Sequence, residues 1–224
     1  MFEREINLIG EDNYLKLKNS NILVIGVGGV GGYAVETLIR SGIENITLVD
    51  YDNIDISNIN RQVIALSSNI GNSKVEEFKK RILSINSNVK VKIIKEKINE
   101  DNIDLLFEED YDYIIDTMIV KKLLIKMCHK KHINLITVCG MGKKLDPTKV
   151  KISDIRDTNY DPLAKALRKY VKDEKFRDKV ICISSTEEPI KTNKTMVTSM
   201  MMVPSTAGIY AASYVINSII KENK

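Results

Sequence analysis

Asn21-Ile-Leu-Val-Ile-Gly26-Val-Gly28-Gly29-Val-Gly31-Gly32 is a short apolar run that ends in glycine, and the chain then places Ala34, Val35, Leu38 and Ile39 at helical spacing up to Arg40. The first part has the length and composition of a buried strand, and the second has one apolar face of a helix. Gly42 ends that helix. Asn45-Ile-Thr-Leu-Val-Asp50 reads as a second buried strand, so residues 21–50 form a βαβ unit with two parallel strands. Outward from this unit the alternation continues, with helices expected at about Ser73–Ile85 and Leu123–Lys131 and strands at Val89–Ile94, Tyr113–Asp116 and Asn134–Val138. Such alternation predicts a doubly wound, Rossmann-like α/β fold, a mostly parallel sheet with helices on both faces. After Cys139 the pattern loosens into candidate strands at Val150–Ser153, Val180–Ser184 and Thr195–Val203 and a charged helix near Pro162–Val171. A last helix is expected to open after Pro204 with Ser205 as its cap, and its small residues Ala207, Gly208, Ala211 and Ala212 allow close packing.

Composition narrows the class. Hydrophobic content of 43% with 29% charge and only 11 Gly and 4 Pro excludes collagen, disorder and low-complexity sequence. The three cysteines Cys128, Cys139 and Cys182 form no C-x-x-C pair, which leaves neither a disulfide framework nor a structural zinc site and fits a reducing cytoplasm. Acids at Glu3 and Glu5 stand where a signal peptide needs a basic region, and no apolar run reaches ~18 residues, so neither export nor a membrane span is expected. The net charge of +4 permits a polyanionic partner without requiring one.

Gly26, Gly28, Gly29 and Gly31 lie between a strand and a helix, the setting in which bare backbone and a helix N-terminus hold phosphate. Asp50, at the tip of the next strand, is placed for a ribose hydroxyl. These features fit NAD as well as ATP. The following run, Asp50-Tyr-Asp52 and Ser57-Asn58-Ile-Asn60-Arg61-Gln62, with Lys74 13 residues past Arg61, brings an amide, a guanidinium and an ammonium beyond the ribose. A triphosphate attacked at its α-phosphate needs such groups to hold charge as pyrophosphate leaves; a dinucleotide does not.

On these residues the chain resembles the ubiquitin-activating (E1-like) adenylating superfamily, whose bacterial members join G-x-G-G-x-G to D-x-D, S-N-x-x-R-Q and that lysine. Within it the chain is similar to the tRNA threonylcarbamoyladenosine dehydratases through Ser57-Asn58-Ile-Asn60-Arg61-Gln62, Leu145-Asp146-Pro147-Thr148, Asp161-Pro-Leu-Ala164 and Ser185-Thr186-Glu187. The resemblance spans about Phe2 to Ile220. It implies an enzyme that uses ATP and Mg2+ to cyclise N6-threonylcarbamoyladenosine in tRNA through an acyl-adenylate. Arg61, Lys74 and Asn58 would hold phosphates, with Gly26, Gly28, Gly29, Gly31, Asp52 and Ser57 around ATP and Asp116 toward magnesium. Arg4 resembles an arginine that reaches a partner subunit's ATP, which implies a homodimer, and the same resemblance allows a sulfur-transfer protein as a partner. Relatives carry a second carboxylate three residues after Asp116; here that position is Ile119. Two alternatives stay open: activation of a sulfur-carrier protein's C-terminus, and a nucleotide- or tRNA-binding relative that has lost catalysis.

One domain is expected, with an N-terminal arm and helix at 1–20, the Rossmann-like core at 21–138 and a C-terminal extension at 139–224 carrying the tRNA and dimer surfaces. Lys165–Lys179 has seven basic and three acidic residues. Lys165, Arg168, Lys169 and Lys172 are its candidate phosphate contacts, and Tyr170 is available to stack on a base. Cys128, His129 and His132 near one helix end lack further ligands in sequence and read as an ordinary surface.

Overall fold

The computed structural model describes residues 1–118, 120–191, 193 and 198–221. Two short helices, α1 (Glu3–Ile9) and α2 (Glu11–Asn19), precede the sheet and meet at Gly10, whose φ of +84° suits glycine. The strands are β1 (Asn21–Ile25), β2 (Asn45–Val49), β3 (Lys90–Ile94), β4 (Tyr113–Asp116), β5 (Asn134–Val138), β6 (Val150–Asp154) and β7 (Ile181–Ser185). Between and after them run α3 (Gly31–Arg40), α4 (Lys74–Ile85), α5 (Lys121–Lys131), α6 (Pro162–Asp173) and α7 (Met202–Lys221). The seven strands form one sheet in the order β3-β2-β1-β4-β5-β7-β6, parallel except for the edge strand β6, which runs antiparallel to β7.

Consecutive βαβ crossovers lead outward from β1 to β3, and the chain then returns to the other side of β1 with β4. The order therefore reverses between β1 and β4, and in open α/β sheets a crevice forms at the carboxyl ends of the strands at such a reversal. Both faces are covered: Val24, Ile46, Leu48 and Ile115 pack toward α3, α4 and α7, while Leu23, Ile25, Val49 and Ile114 pack toward α5 and the segment around Ile98–Tyr111. A third apolar cluster, with Ile155, Ala164, Leu167 and Val171, seats α6. Continuous burial along β1 and β4 is what a parallel sheet with two covered faces requires.

The expected elements are found up to β7, with α5 opening at Lys121. The last part differs. Thr195–Val197 lie outside the described residues, Thr198–Met200 are irregular, and Met202 and Val203 already belong to α7, so no strand occupies 198–203. Proline breaks a helix only where its missing N–H was needed, and in a first turn that N–H has no partner anyway. Pro204 accordingly sits inside α7, and Ser205 turns its Oγ onto Met202 O rather than capping. Gly208 lies so close to α3 that an added Cβ would overlap Val30 O and touch Ala34 N at 3.0 Å. The C-terminal helix is thus pressed onto the first turn of the helix that follows the glycine loop.

Candidate nucleotide and acyl-transfer site

The glycine loop crosses the carboxyl end of β1. Gly26 has φ +85°, and its N–H donates to Val49 O at 2.7 Å, which bends the chain out of the strand. Gly31 meets the Gly26 carbonyl where a Cβ would stand, so the loop closes on itself only with glycine there. As α3 begins, Gly32 N–H donates to Gly28 O at 2.9 Å and Tyr33 N–H to Val30 O at 3.1 Å, so the glycine loop closes onto the positive end of the helix. Gly28 and Gly29 border Gln62 and Arg61: an added Cβ would stand 3.7 Å from Gln62 Nε2 and 3.4 Å from Arg61 Cγ.

Asp50, buried at the end of β2, accepts from Val27 N at 2.9 Å and from Asp52 N at 2.9 Å. It therefore fixes the glycine loop, and each oxygen keeps a second lone pair. Lys74, nearly buried at the start of α4, donates to Asp52 Oδ2 at 2.9 Å. Asp55 caps the turn Ile56–Asn58 by accepting from Ser57 N, and Asn58 Oδ1 accepts from Asp55 N at 3.2 Å. That turn presents Arg61, whose Nη1 donates to Ser57 O at 2.6 Å and Asn60 Oδ1 at 3.0 Å. Asn60 Nδ2 in turn donates to Ser199 O at 2.9 Å and ties the turn to the segment before α7. Thus Gly26, Gly28, Gly29, Gly31, Asp50, Asp52, Ser57, Asn58, Arg61 and Lys74 do gather at one crevice. Gln62, quoted with the motif but given no role of its own, joins them: it is buried beside Gly28, and its Oε1 has no partner among the described residues.

Asp116 departs from expectation. It is 0% exposed; Oδ2 accepts from Lys121 Nζ at 2.8 Å and Thr137 Oγ1 at 2.7 Å, and Oδ1 accepts from Met118 N at 2.9 Å. A buried lysine already neutralises this carboxylate, and Ile119 lies outside the described residues. Magnesium prefers exposed carboxylate oxygens and keeps several waters, so Asp116 as placed does not fit it. Among the described residues no three His, Cys, Asp or Glu side chains converge for a metal. His129 instead lies 3.5 Å from Asp178 and edge-on to Phe176. The cysteines are free and buried, and burial pushes the Cys128 thiol up to about 12, which leaves it protonated and inert.

Arg4 is exposed on α1, where it shares a cavity with Arg40, Arg81 and Ser84 at the carboxyl ends of α3 and α4. The glycine loop is at the other end of α3, ten residues or about 15 Å away, so Arg4 does not serve its own chain's crevice. On α6, Lys165, Lys169 and Lys172 are exposed on one face. Arg168 is not free with them: its Nη1 donates to Thr158 O at 2.7 Å and Thr158 Oγ1 at 2.6 Å. Tyr170 is also engaged, packed on Phe176 with ring centroids 5.9 Å apart and capped by Lys122. The basic face is thus narrower than the sequence implies.

Comparison with known proteins agrees with this geometry. The ThiF family profile matches residues 2–223. A Bacillus subtilis protein named tRNA threonylcarbamoyladenosine dehydratase is 37% identical over 99% of this chain and 95% of its own length. The Haemophilus influenzae protein of that name is 35% identical over 94% of this chain and 90% of its own length. The crystal structure of the Escherichia coli tRNA N6-threonylcarbamoyladenosine dehydratase in complex with ATP superposes with a TM-score of 0.91 at 34% identity, covering 98% of this chain and 93% of that one. By its sequence along nearly the whole length, and by the fold and crevice described above, the chain belongs to the ThiF family.

Proposed function

We propose that the chain is an ATP-dependent dehydratase that cyclises N6-threonylcarbamoyladenosine in tRNA. The observation that carries this reading is that relatives of that name match along essentially the full chain while the phosphate-binding loop, Arg61 and Lys74 converge at one strand-end crevice. A carboxylate is a poor electrophile, so the threonyl carboxylate attacks the ATP α-phosphorus, displacing pyrophosphate, and the carbamoyl group then displaces AMP as the ring closes. Asp50 takes the ribose through its remaining lone pairs, and Gly28, Gly29 and the α3 N-terminus take phosphate. Arg61 and Lys74 hold the charge that develops on the leaving pyrophosphate, with Asn58 shaping the Arg61 turn. Asp116 acts by locking β4 to β5 and α5.

Arg4, remote from its own crevice, serves a second copy, which makes the working unit a homodimer. Ile59, Met200, Met201, Met202, Ile209 and Tyr210, exposed around the Asn60–Ser199 contact, supply apolar surface for such an interface. The three buried thiols suit the cytoplasm, and no helix among the described residues is long and apolar enough to cross a membrane.

Pyrophosphate exchange is the direct test: it should require modified tRNA and be absent with a sulfur-carrier protein, and the reverse pattern would reject the dehydratase reading. In that assay Arg61→Ala should slow exchange by ~10²-fold or more while melting temperature stays near that of the parent, because one preorganised charge at a developing oxyanion is worth a few kcal/mol. An unchanged rate would remove Arg61 from the mechanism. Lys165→Glu, Lys169→Glu and Lys172→Glu combined should weaken tRNA binding for all sequences and flatten its salt dependence, leaving ATP binding intact. Undiminished tRNA affinity would move the RNA surface elsewhere.

A further inference from the structure

Lys144 has no part in the nucleotide crevice, yet it is 3% exposed. It follows Gly140-Met-Gly-Lys143 at the carboxyl end of β5, and its Nζ donates to Ser185 O, the last residue of β7, at 3.2 Å. Among the described residues that is its one hydrogen bond. An ammonium carries three donors, and a buried one with a single acceptor is poorly satisfied. A neutral amine in the same place would be better matched, with an N–H on Ser185 and a lone pair to spare.

The surroundings show why the site persists. Asp161, at the start of α6, accepts from Gly140 N at 2.6 Å and Leu163 N at 2.9 Å. Glu187, just past β7, accepts from Leu145 N at 2.9 Å and Asp146 N at 2.9 Å. Both carboxylates are spent on backbone N–H groups that hold the Lys144 loop, and neither forms an ion pair with Nζ among the described residues. Burial pushes the Lys144 ammonium below the usual lysine value, against the opposing fields of Asp161 and Glu187. The Cys139 thiol is itself pushed up, by Cys182 and by burial, and stays neutral.

Position gives the chemistry. The nucleotide crevice takes the carboxyl ends of β1, β2 and β4, which leaves those of β5 and β7 for the acyl acceptor. Strands stand ~4.8 Å apart and rise ~3.3 Å per residue, and β7 runs three residues past the level of Asp116, so its end lies about 14 Å from that of β4. The geometry points to Lys144 as the proton acceptor of the second half-reaction, a role that rests on the cyclisation reading given above. A bond forms from the carbamoyl group to the activated carbonyl carbon, and the carbon–oxygen bond to phosphate breaks with its electron pair leaving on AMP. The carbamoyl N–H proton passes to the Lys144 amine. The flexible four-carbon stem lets that amine leave Ser185 for a group at the strand ends.

Lys144→Arg keeps the charge but cannot be deprotonated, and Lys144→Met removes it at similar length. In single-turnover experiments with modified tRNA, both should lower the rate of ring closure and AMP release by ~10²-fold or more, the usual worth of a general base, while pyrophosphate exchange falls at least about 30-fold less. The parent's closure rate should rise with pH through the Lys144 titration, since only the neutral amine accepts a proton, and the Arg variant should lose that limb. Exchange and closure falling together, or a pH profile kept by the Arg variant, would overturn the assignment. Should Lys144→Met fail to fold, the Arg variant decides alone. Absence of exchange in the parent itself would instead reject the dehydratase reading, and this role with it.

Discussion

Gly31→Ala should abolish ATP binding and destabilise the protein by about 3 kcal/mol or more, the upper range for a single substitution that overpacks a buried site. The methyl group would occupy the space of the Gly26 carbonyl oxygen, a backbone atom that cannot turn aside as a flexible side chain could, with Thr117 Oγ1 close by at 3.2 Å. The loop would have to open, with loss of the Gly26 N–H bond to Val49 O and of the arrangement that aims the α3 N-terminus at phosphate. Gly71→Ala is the control. Gly71 has φ +90° and nothing within 4 Å of an added Cβ, so it should show only the left-handed backbone strain of about 1–2 kcal/mol. Urea denaturation with ATP titration calorimetry measures both, and equal losses for the two variants would mean that close approach at Gly31 is unimportant.

The glycine loop was also what made the fold legible. A strand, a turn and a helix in twenty residues open the first crossover, and every later strand but β6 extends the parallel sheet it begins. The cluster of Asp50, Asp52, Arg61 and Lys74 was readable for the same reason, since all follow the strand ends within one crossover. What stayed hidden depends on register or on distant packing. Thr137 reaches Asp116 only because β5 pairs with β4 in the observed register, 21 residues on. Lys121, five residues past Asp116, lies ahead of the helix expected at Leu123 and gave no sign of its burial. The burial of Lys144 gave no periodic signal, because burial from a loop is decided by what folds over it. Pro204 misled in a simpler way: read as a boundary, it proved to be a first-turn residue. The β-branched residues near it imitated a strand.

The second large effect concerns Asp116 and Lys121. Asp116→Asn should cost about 3–5 kcal/mol, because it leaves the Lys121 ammonium, 2% exposed, without its counter-charge. Lys121→Met should be of similar size, since it strands the carboxylate with only Thr137 and the Met118 N–H. The double variant Asp116→Asn/Lys121→Met should recover most of the loss, as a pair removed whole leaves no buried charge. A double-mutant cycle by chemical denaturation checks this. Additive losses would show that the two side chains act separately, with Asp116 answering to some other cation.

The pressing of α7 onto the first turn of α3 has a consequence for the order in which the protein becomes competent. On a ribosome, the glycine loop and α3 emerge early, but the surface around Val30 and Ala34 that receives Gly208 stays uncovered until α7 has been made. Contacts between segments so far apart in sequence form late and slowly. A nascent chain can therefore assemble the first crossover and still lack the clamp that steadies its phosphate loop. ATP capture is in this way deferred until α7 has closed on α3, when the whole sheet stands ready to use it.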